Sequence, residues 1–250
     1  MTTGLETAIL IAIFLLTSIV GVVTGSNSLI AVPAMFQFGI EPRVAVATNM
    51  FALVFMAIGG TIPFARAGKI EVKKLWPLLL LTAVGSIIGA ALVGFMTDAT
   101  MRIVVSVAMF AVAIFIALDR SKEAATENVS SLAISASYLG TFLLAIYGGL
   151  FSGGYVTMLT ALLVATLGMR FSEAVASTKL LNVVSSSVAA AVFIWQGLVD
   201  LRLGVILGIT MFVGGYIGGY YASKMDEVWL RRIFLVAVFA LAIKTIYDII

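Results

Sequence analysis

The sequence predicts an all-α integral membrane protein built from two inverted-topology repeats, with about five helical segments in each half. Three observations lead to this fold class. The chain of 250 residues is 62% hydrophobic and only 11% charged, whereas about a quarter of the residues of a soluble domain are charged. The charges stand in short clusters between long apolar runs, as in helices that cross a bilayer and satisfy their own backbone. Glycines and charges of the first half recur 129 positions later.

The composition also excludes several classes of function. The chain has no cysteine and no histidine, which removes disulfides, thiolate chemistry and imidazole-based acid–base or metal chemistry. The net charge of +3 is small and the basic residues flank apolar runs, so no nucleic-acid partner is expected. We find no cofactor motif, no metal-ligand cluster and no nucleophile–base pair, and therefore expect neither an enzyme nor a cofactor. No cleaved signal peptide is predicted.

The first apolar run, residues 7–40, holds 34 residues without a charge. One helix of that length would be about 51 Å long against a hydrocarbon core of about 30 Å, whereas two full spans and a turn need more than about 40 residues. A glycine-rich break at residues 21–28 and Pro33 interrupt the run. We therefore expect a tight hairpin or a span with a re-entrant piece, so that the first two segments of each half are short or re-entrant.

The rest of the first half reads as three spans, and a hydrophilic linker separates it from a second half with the same pattern. The first-half spans are 44–64, 75–96 and 101–118. The pattern restarts at 128–169, 42 uncharged residues broken at 147–155. Further spans are predicted near 174–195, 203–222 and 228–249. We assign residues 1–119 to the first transmembrane repeat, 120–131 to the linker and 132–250 to the second repeat.

The restart is an internal repeat, which decides the fold. Single matches between apolar segments mean little, but glycines and charges that keep one offset are hard to obtain by coincidence. The pairs at an offset of 129 include Gly25/Gly154, Gly39/Gly168, Gly68/Gly197, Gly85/Gly214 and Arg102/Arg231.

The distribution of lysine and arginine indicates that the halves are inverted, because cytoplasmic loops carry an excess of these residues. With residues 66–74 placed inside, an inverted repeat puts ten basic residues inside and four outside. A parallel repeat splits the same residues eight to six. Inversion fits better, and it places the linker 120–131 in the cytoplasm.

Lys179 is the main functional candidate because it puts a full charge inside an apolar span. A charge at bilayer depth costs several kcal/mol, so such a residue faces the protein interior and marks a functional site by default. The alternative is that Lys179 snorkels to a nearby headgroup layer. It lies six residues past Glu173, about 9 Å of helix, which makes snorkelling geometrically feasible.

The remaining candidates are polar residues and glycines near the two breaks and near Lys179. Inverted repeats with interrupted helices bind their solute near the midplane, where helix N-termini and unwound backbone meet. Such hydroxyl, amide and backbone N–H donors tie helices together or bind a small oxyanion. With Lys179, the predicted site comprises Ser26, Asn27, Ser28, Thr48, Asn49, Ser152, Gly153, Gly154, Ser177, Thr178 and Asn182.

The acidic residues argue against a cation transporter. Every Asp and Glu stands at the end of a span or in a loop, so no buried carboxylate is available for a proton relay or for a hard cation.

The repeated pattern resembles the TauE/SafE family of sulfite exporters over nearly the whole chain. The resemblance rests on the glycine-rich break, Val32-Pro33, the Gly39 turn, the 45–49 run and the second-half 174–182 run followed by Ser185. It implies export of sulfite, organosulfonates or related sulfur oxyanions, with the family's polar positions falling on residues already selected above. The chain departs from the family in carrying Ser26-Asn27-Ser28 where a glycine triplet is usual, which leaves a substrate other than sulfite open.

We therefore expect a secondary transporter, an exporter of a small sulfur-containing anion, in the cytoplasmic membrane. An anion channel and a transporter of another small anion remain as alternatives. The expected partners are the anion and the lipid bilayer, and the sequence leaves the oligomeric state open.

Overall fold

The computed structural model describes residues 4–118, 130–226, 228, 229 and 232, and this part of the chain is all-helical, as predicted. Its nine helices are α1 (Gly4–Thr24), α2 (Asn27–Gln37), α3 (Pro42–Arg66), α4 (Val72–Gly94), α5 (Asp98–Leu118), α6 (Ser131–Leu150), α7 (Tyr155–Leu167), α8 (Phe171–Trp195) and α9 (Leu201–Lys224). Six of these are long and apolar enough to cross a membrane. The chain is a multi-pass membrane protein. The predicted span at 228–249 and most of the linker lie outside the described residues.

The helix boundaries follow the repeat. Among the described residues, six glycines have a positive φ, and they form three pairs at the offset of 129: Gly25/Gly154, Gly39/Gly168 and Gly68/Gly197. Each pair stands where a helix ends or a break turns, and only glycine adopts this backbone conformation at little cost. Ser130 and Asp200 cap α6 and α9 by accepting hydrogen bonds from the N–H groups of Ala133 and Leu203.

The lengths of the first two helices in each half differ from the prediction that both are short. The first helices, α1 and α6, have 21 and 20 residues and are long enough to span. Only the second helices, α2 and α7, are short, with 11 and 13 residues. The break between the two helices takes only a few residues. The first helix therefore keeps a full span, and the second helix alone is shortened by the limited length of the apolar run.

The breaks themselves differ in length between the halves. Two residues, Gly25 and Ser26, separate α1 from α2, whereas four residues, 151–154, separate α6 from α7. Packing shows where the register changes. Gly85 of α4 meets Phe142 of α6, and the equivalent Gly214 of α9 meets Leu15 of α1, a spacing of 127 instead of 129. The two extra residues therefore lie in the second break.

Glycines bring the helix backbones into direct contact. A Cβ atom added to Gly89 of α4 would lie 2.0 Å from the carbonyl oxygen of Ile146 of α6. One added to the equivalent Gly218 of α9 would lie 2.1 Å from that of Ile19 of α1. Van der Waals contact at small residues is what holds helices together in lipid, where no hydrophobic force drives association.

Two sets of helices run in common directions. Gly214 and Gly218 of α9 contact Leu15 and Ile19 of α1 in that order, so α9 runs parallel to α1. Gly85 and Gly89 of α4 contact Phe142 and Ile146 of α6 in that order, so α4 runs parallel to α6. By the same reasoning, α3 runs parallel to α9 and α4 runs parallel to α8. The short connections 67–71 and 196–200 reverse the chain between these sets. These are the helix directions expected of inverted halves, and the inversion itself stays a prediction.

Candidate functional site

The two breaks meet in the interior, although they lie far apart in the sequence. The N–H group of Gly154 donates to the carbonyl oxygen of Gly25 over 3.2 Å. The hydroxyl groups of Ser28 and Ser152 are 2.7 Å apart, and the Thr157 hydroxyl donates to the carbonyl of Thr24. The start of α2 and the start of α7 therefore form one centre, to which both halves contribute backbone and side-chain groups.

Lys179 lies on α8 beside this centre, with a side chain that is 1% exposed. The snorkelling alternative therefore does not describe this conformation. No described residue offers the ammonium group a hydrogen bond or an ion pair. A buried charge without a partner costs several kcal/mol, and proteins normally pair such a charge. The position of Lys179 therefore calls for a negatively charged partner.

A small cavity lies between Lys179 and the breaks. Its polar lining comes from both halves: Asn27, Ser28, Ser152, Lys179 and Asn182. The cavity leaves about 10 Å³ for the centre of a water molecule, which is room for about one water. A sulfite ion or a sulfonate is larger, so the helices must move apart before such an ion can occupy this position.

Neighbouring hydrogen bonds orient the lining groups. The Asn49 amide on α3 donates from Nδ2 to the Ser28 hydroxyl over 2.8 Å. Asn49 thus orients a lining residue without lining the cavity itself. Ser26 pairs with Thr24 over 2.6 Å. The carbonyl oxygen of Gly153 accepts a hydrogen bond from the Tyr147 hydroxyl. These contacts fix the conformation of both breaks.

Three predicted site residues do not line the cavity, and two of them connect helices instead. The Thr48 hydroxyl accepts a hydrogen bond of 3.0 Å from the N–H group of Asp200, where α9 begins. The Thr178 hydroxyl donates to the Val175 carbonyl and lies 3.2 Å from the hydroxyl of Thr160. Ser177 is buried on α8 and does not line the cavity.

Sequence reasoning missed the apolar part of the lining, which includes Leu53, Met56 and Val156. Apolar residues in an apolar span give no chemical signal. The repeat gives a signal for the two lining residues of α3, because Leu53 and Met56 stand 129 positions before Asn182 and Ser185. A pseudo-twofold site places equivalent positions of both halves around the same cavity.

Comparison with known proteins agrees with this architecture. The profile of the family described as "Sulfite exporter TauE/SafE" matches residues 10–245. The chain is 25% identical over 226 residues to "Probable membrane transporter protein ORF9" of Sinorhizobium sp, covering 90% of this chain and 87% of that protein. It is 22% identical over 246 residues to a "Probable membrane transporter protein" of Haemophilus influenzae, covering 96% and 94%.

A third relative extends the likeness over nearly all of the chain. "Probable membrane transporter protein YfcA" of Escherichia coli K12 is 22% identical over 253 aligned positions, which cover 99% of this chain and 92% of that protein. No solved structure matches the chain significantly. The family match covers far more than half of the sequence, and the chain belongs to the TauE/SafE sulfite exporter family of membrane transporters.

Proposed function

We propose that the protein is a secondary transporter that exports a small sulfur-containing anion, such as sulfite or an organosulfonate, by alternating access around the Lys179 cavity. The observation that carries this proposal is a buried ammonium group, without a partner among the described residues, that faces a cavity built by both halves. The relatives' names support transport, and the family description supports a sulfur oxyanion as the cargo.

The polar lining supports an anion as the bound species. Ammonium, amide and hydroxyl groups donate hydrogen bonds to an oxyanion, and within the described part of the chain no Asp or Glu lines the cavity. Asn27 and Ser28 belong to the segment in which this chain departs from the family's usual glycines. Because both side chains line the cavity, they favour a cargo whose shape differs from that of sulfite.

The small size of the cavity supports alternating access over a permanently open channel. With room for about one water, the cavity does not admit the anion in this conformation, and the anion exchanges only after the halves separate. We place the protein in the cytoplasmic membrane with the linker 120–131 inside, as the distribution of basic residues favours.

Flux into proteoliposomes tests the function directly. Purified protein should take up radiolabelled sulfite or an organosulfonate with saturation, and unlabelled anion on the far side should accelerate uptake. Lys179→Met should abolish the flux, whereas Lys74→Met, at an exposed lysine, should leave it intact. Flux without saturation or counterflow would identify a channel, and unchanged flux in Lys179→Met would refute the proposed site. Competition with carboxylates would identify a different anion.

A further inference from the structure

A second group of polar side chains is buried between α4, α6 and α7, outside the Lys179 cavity. The hydroxyl groups of Ser137 and Thr141 on α6 have no hydrogen-bond partner among the described residues. Those of Thr82 on α4 and Tyr155 on α7 lie side by side, but no hydrogen bond of normal geometry joins either one to a described residue. All four residues are fully buried. Buried hydroxyl groups are almost always satisfied in native proteins, by protein groups or by water.

These hydroxyls are unusual within the chain itself. Other threonines on its helices donate to the carbonyl oxygen one turn back, as Thr61 does to Ala57, Thr166 to Leu162 and Thr210 to Ile206. Serine and threonine commonly satisfy themselves in this way inside helices. Thr82, Ser137 and Thr141 do not, so their hydroxyl groups remain available to a partner that lies between the helices.

The four residues belong to one cluster. Ser86 of α4 is 2.8 Å from Ser185 of α8 and 3.3 Å from the carbonyl oxygen of Ala145 on α6. One turn earlier along the parallel helices α4 and α6 stand Thr82 and Thr141, and Ser137 stands one turn earlier again. The Tyr155 hydroxyl lies beside Thr82 and Ser185.

The cluster begins next to the Lys179 cavity and leads toward one end of the bundle. Ser185 stands one turn along α8 from Asn182, which lines the cavity. From there the hydroxyls descend toward the ends where α4, α6 and α8 begin. Lys73, Lys74 and Arg170 lie at those ends, on the side that we predict to be cytoplasmic.

The equivalent positions on α9, α3 and α1 carry apolar residues. Met211 of α9 and Met56 of α3 stand 129 positions from Thr82 and Ser185. Phe14 and Leu10 of α1 stand 127 positions before Thr141 and Ser137, which is the spacing that packing gives for α1 and α6. These four apolar side chains are buried as well. The polar character therefore belongs to one set of helices and does not follow from the repeat.

We propose that the hydroxyl cluster of Thr82, Ser137, Thr141 and Tyr155 lines the route by which water and the anion reach the Lys179 cavity from the end where α4, α6 and α8 begin. The anion's part in this inference rests on the proposed function; hydration of the route does not. Hydroxyl groups replace part of the hydration shell of a passing anion and hold water when the route is open. Leu75, Leu78, Leu159 and Leu163 pack below the cluster and close the route in this conformation.

The absence of cysteine makes a direct test possible, because every introduced thiol is unique. Thr82→Cys and Thr141→Cys are compared with Met211→Cys on α9 and Phe14→Cys on α1, the matched positions of the repeat. Each variant is treated with a charged, membrane-impermeant thiol reagent, in vesicles of both orientations. Lys74→Cys reports which face the reagent reaches.

Thr82→Cys and Thr141→Cys should react from the Lys74 side only, by about tenfold or more faster than their matched partners, because a hydroxyl-lined route hydrates more readily than an apolar one. Methanesulfonate should slow the reaction. Equal rates within the matched pairs, or no reaction at either threonine position in variants that elute as folded protein, would overturn the route. Labelling without any sulfonate flux would instead count against the proposed function, and flux without labelling would count against the route alone.

Discussion

Ser28 and Ser152 stand 124 positions apart in the sequence, and their hydroxyl groups share a hydrogen bond of 2.7 Å. Ser28 belongs to the first turn of α2 and Ser152 to the break before α7, so this bond joins the two halves at the cavity. Asn49 donates to the same Ser28 hydroxyl, which extends the connection to α3. The conformation of the cavity is thus tied to the contact between the breaks.

The Ser28–Ser152 bond should contribute measurably to stability. In a double-mutant cycle of Ser28→Ala and Ser152→Ala, we expect a coupling energy of about 0.5–1.5 kcal/mol, the usual net value of a buried hydrogen bond. Thermal unfolding in detergent measures it. Ser135→Ala, on an exposed face of α6, serves as the control and should couple to neither. Strictly additive effects would contradict the inferred link between the halves.

Replacing Lys179 by methionine should make the protein more stable while it abolishes anion binding. Methionine fills a similar volume and removes a buried charge that has no partner in the described part of the chain, so we expect a gain of about 1–4 kcal/mol. The measurement is the unfolding temperature with and without a sulfonate. Anion at 100 times the dissociation constant should stabilise the wild type by about 2.7 kcal/mol, which raises its unfolding temperature, and should leave that of the variant unchanged. A variant that is both destabilised and still responsive to the anion would count against a charge held for binding.

The polar residues on α3 and α8 should separate into two groups by their effect on binding. Asn182→Leu alters the cavity lining and should weaken the stabilisation by a sulfonate at least about tenfold in affinity. Thr48→Val removes only the hydrogen bond to Asp200 and should cost about 0.5–1.5 kcal/mol of stability with unchanged affinity. Anion titrations followed by thermal shift distinguish the two, and equal losses of affinity would show that Thr48 acts on the site.

Gly89→Ala should disrupt the contact between α4 and α6. Its new Cβ atom would lie 2.0 Å from a backbone oxygen, so the helices must separate. Overpacking of this kind typically costs about 1–3 kcal/mol. The free energy of unfolding and the yield of monodisperse protein measure the effect. Gly4→Ala, where nothing lies within 4 Å, should be neutral, and a neutral Gly89→Ala would show that the helices separate at no cost.

The sequence predicted the features that leave a chemical mark in an apolar chain. A lysine in an apolar span, glycines at a fixed offset and a polar break are all visible as exceptions, and they located Lys179, Gly25, Gly154 and the two interrupted runs. The direction in which a side chain points leaves no such mark. Thr48, Thr178 and Asn182 look equally suitable in the sequence, yet only Asn182 lines the cavity, because helix rotation and neighbouring backbone groups decide the rest.

The hydroxyl cluster and the lengths of α1 and α6 were missed for a related reason. Single serines and threonines are common on apolar helices, where they usually bond to their own backbone. Their unpaired state becomes visible only when α4, α6 and α7 are placed side by side. The lengths of α1 and α6 depend on how few residues the following break needs. The number of apolar residues in the run does not reveal this.

The two extra residues in the second break have an energetic consequence. Halves of identical shape could exchange conformations and produce inward-facing and outward-facing states of equal free energy. For the proposed carrier, unequal breaks remove that equality, so one orientation of the empty protein would be more populated than the other. A difference of about 1.4 kcal/mol already makes one orientation tenfold more populated. In such a carrier the solute gradient would still set the direction of net movement, and this asymmetry would set which side of the membrane more often meets an empty site.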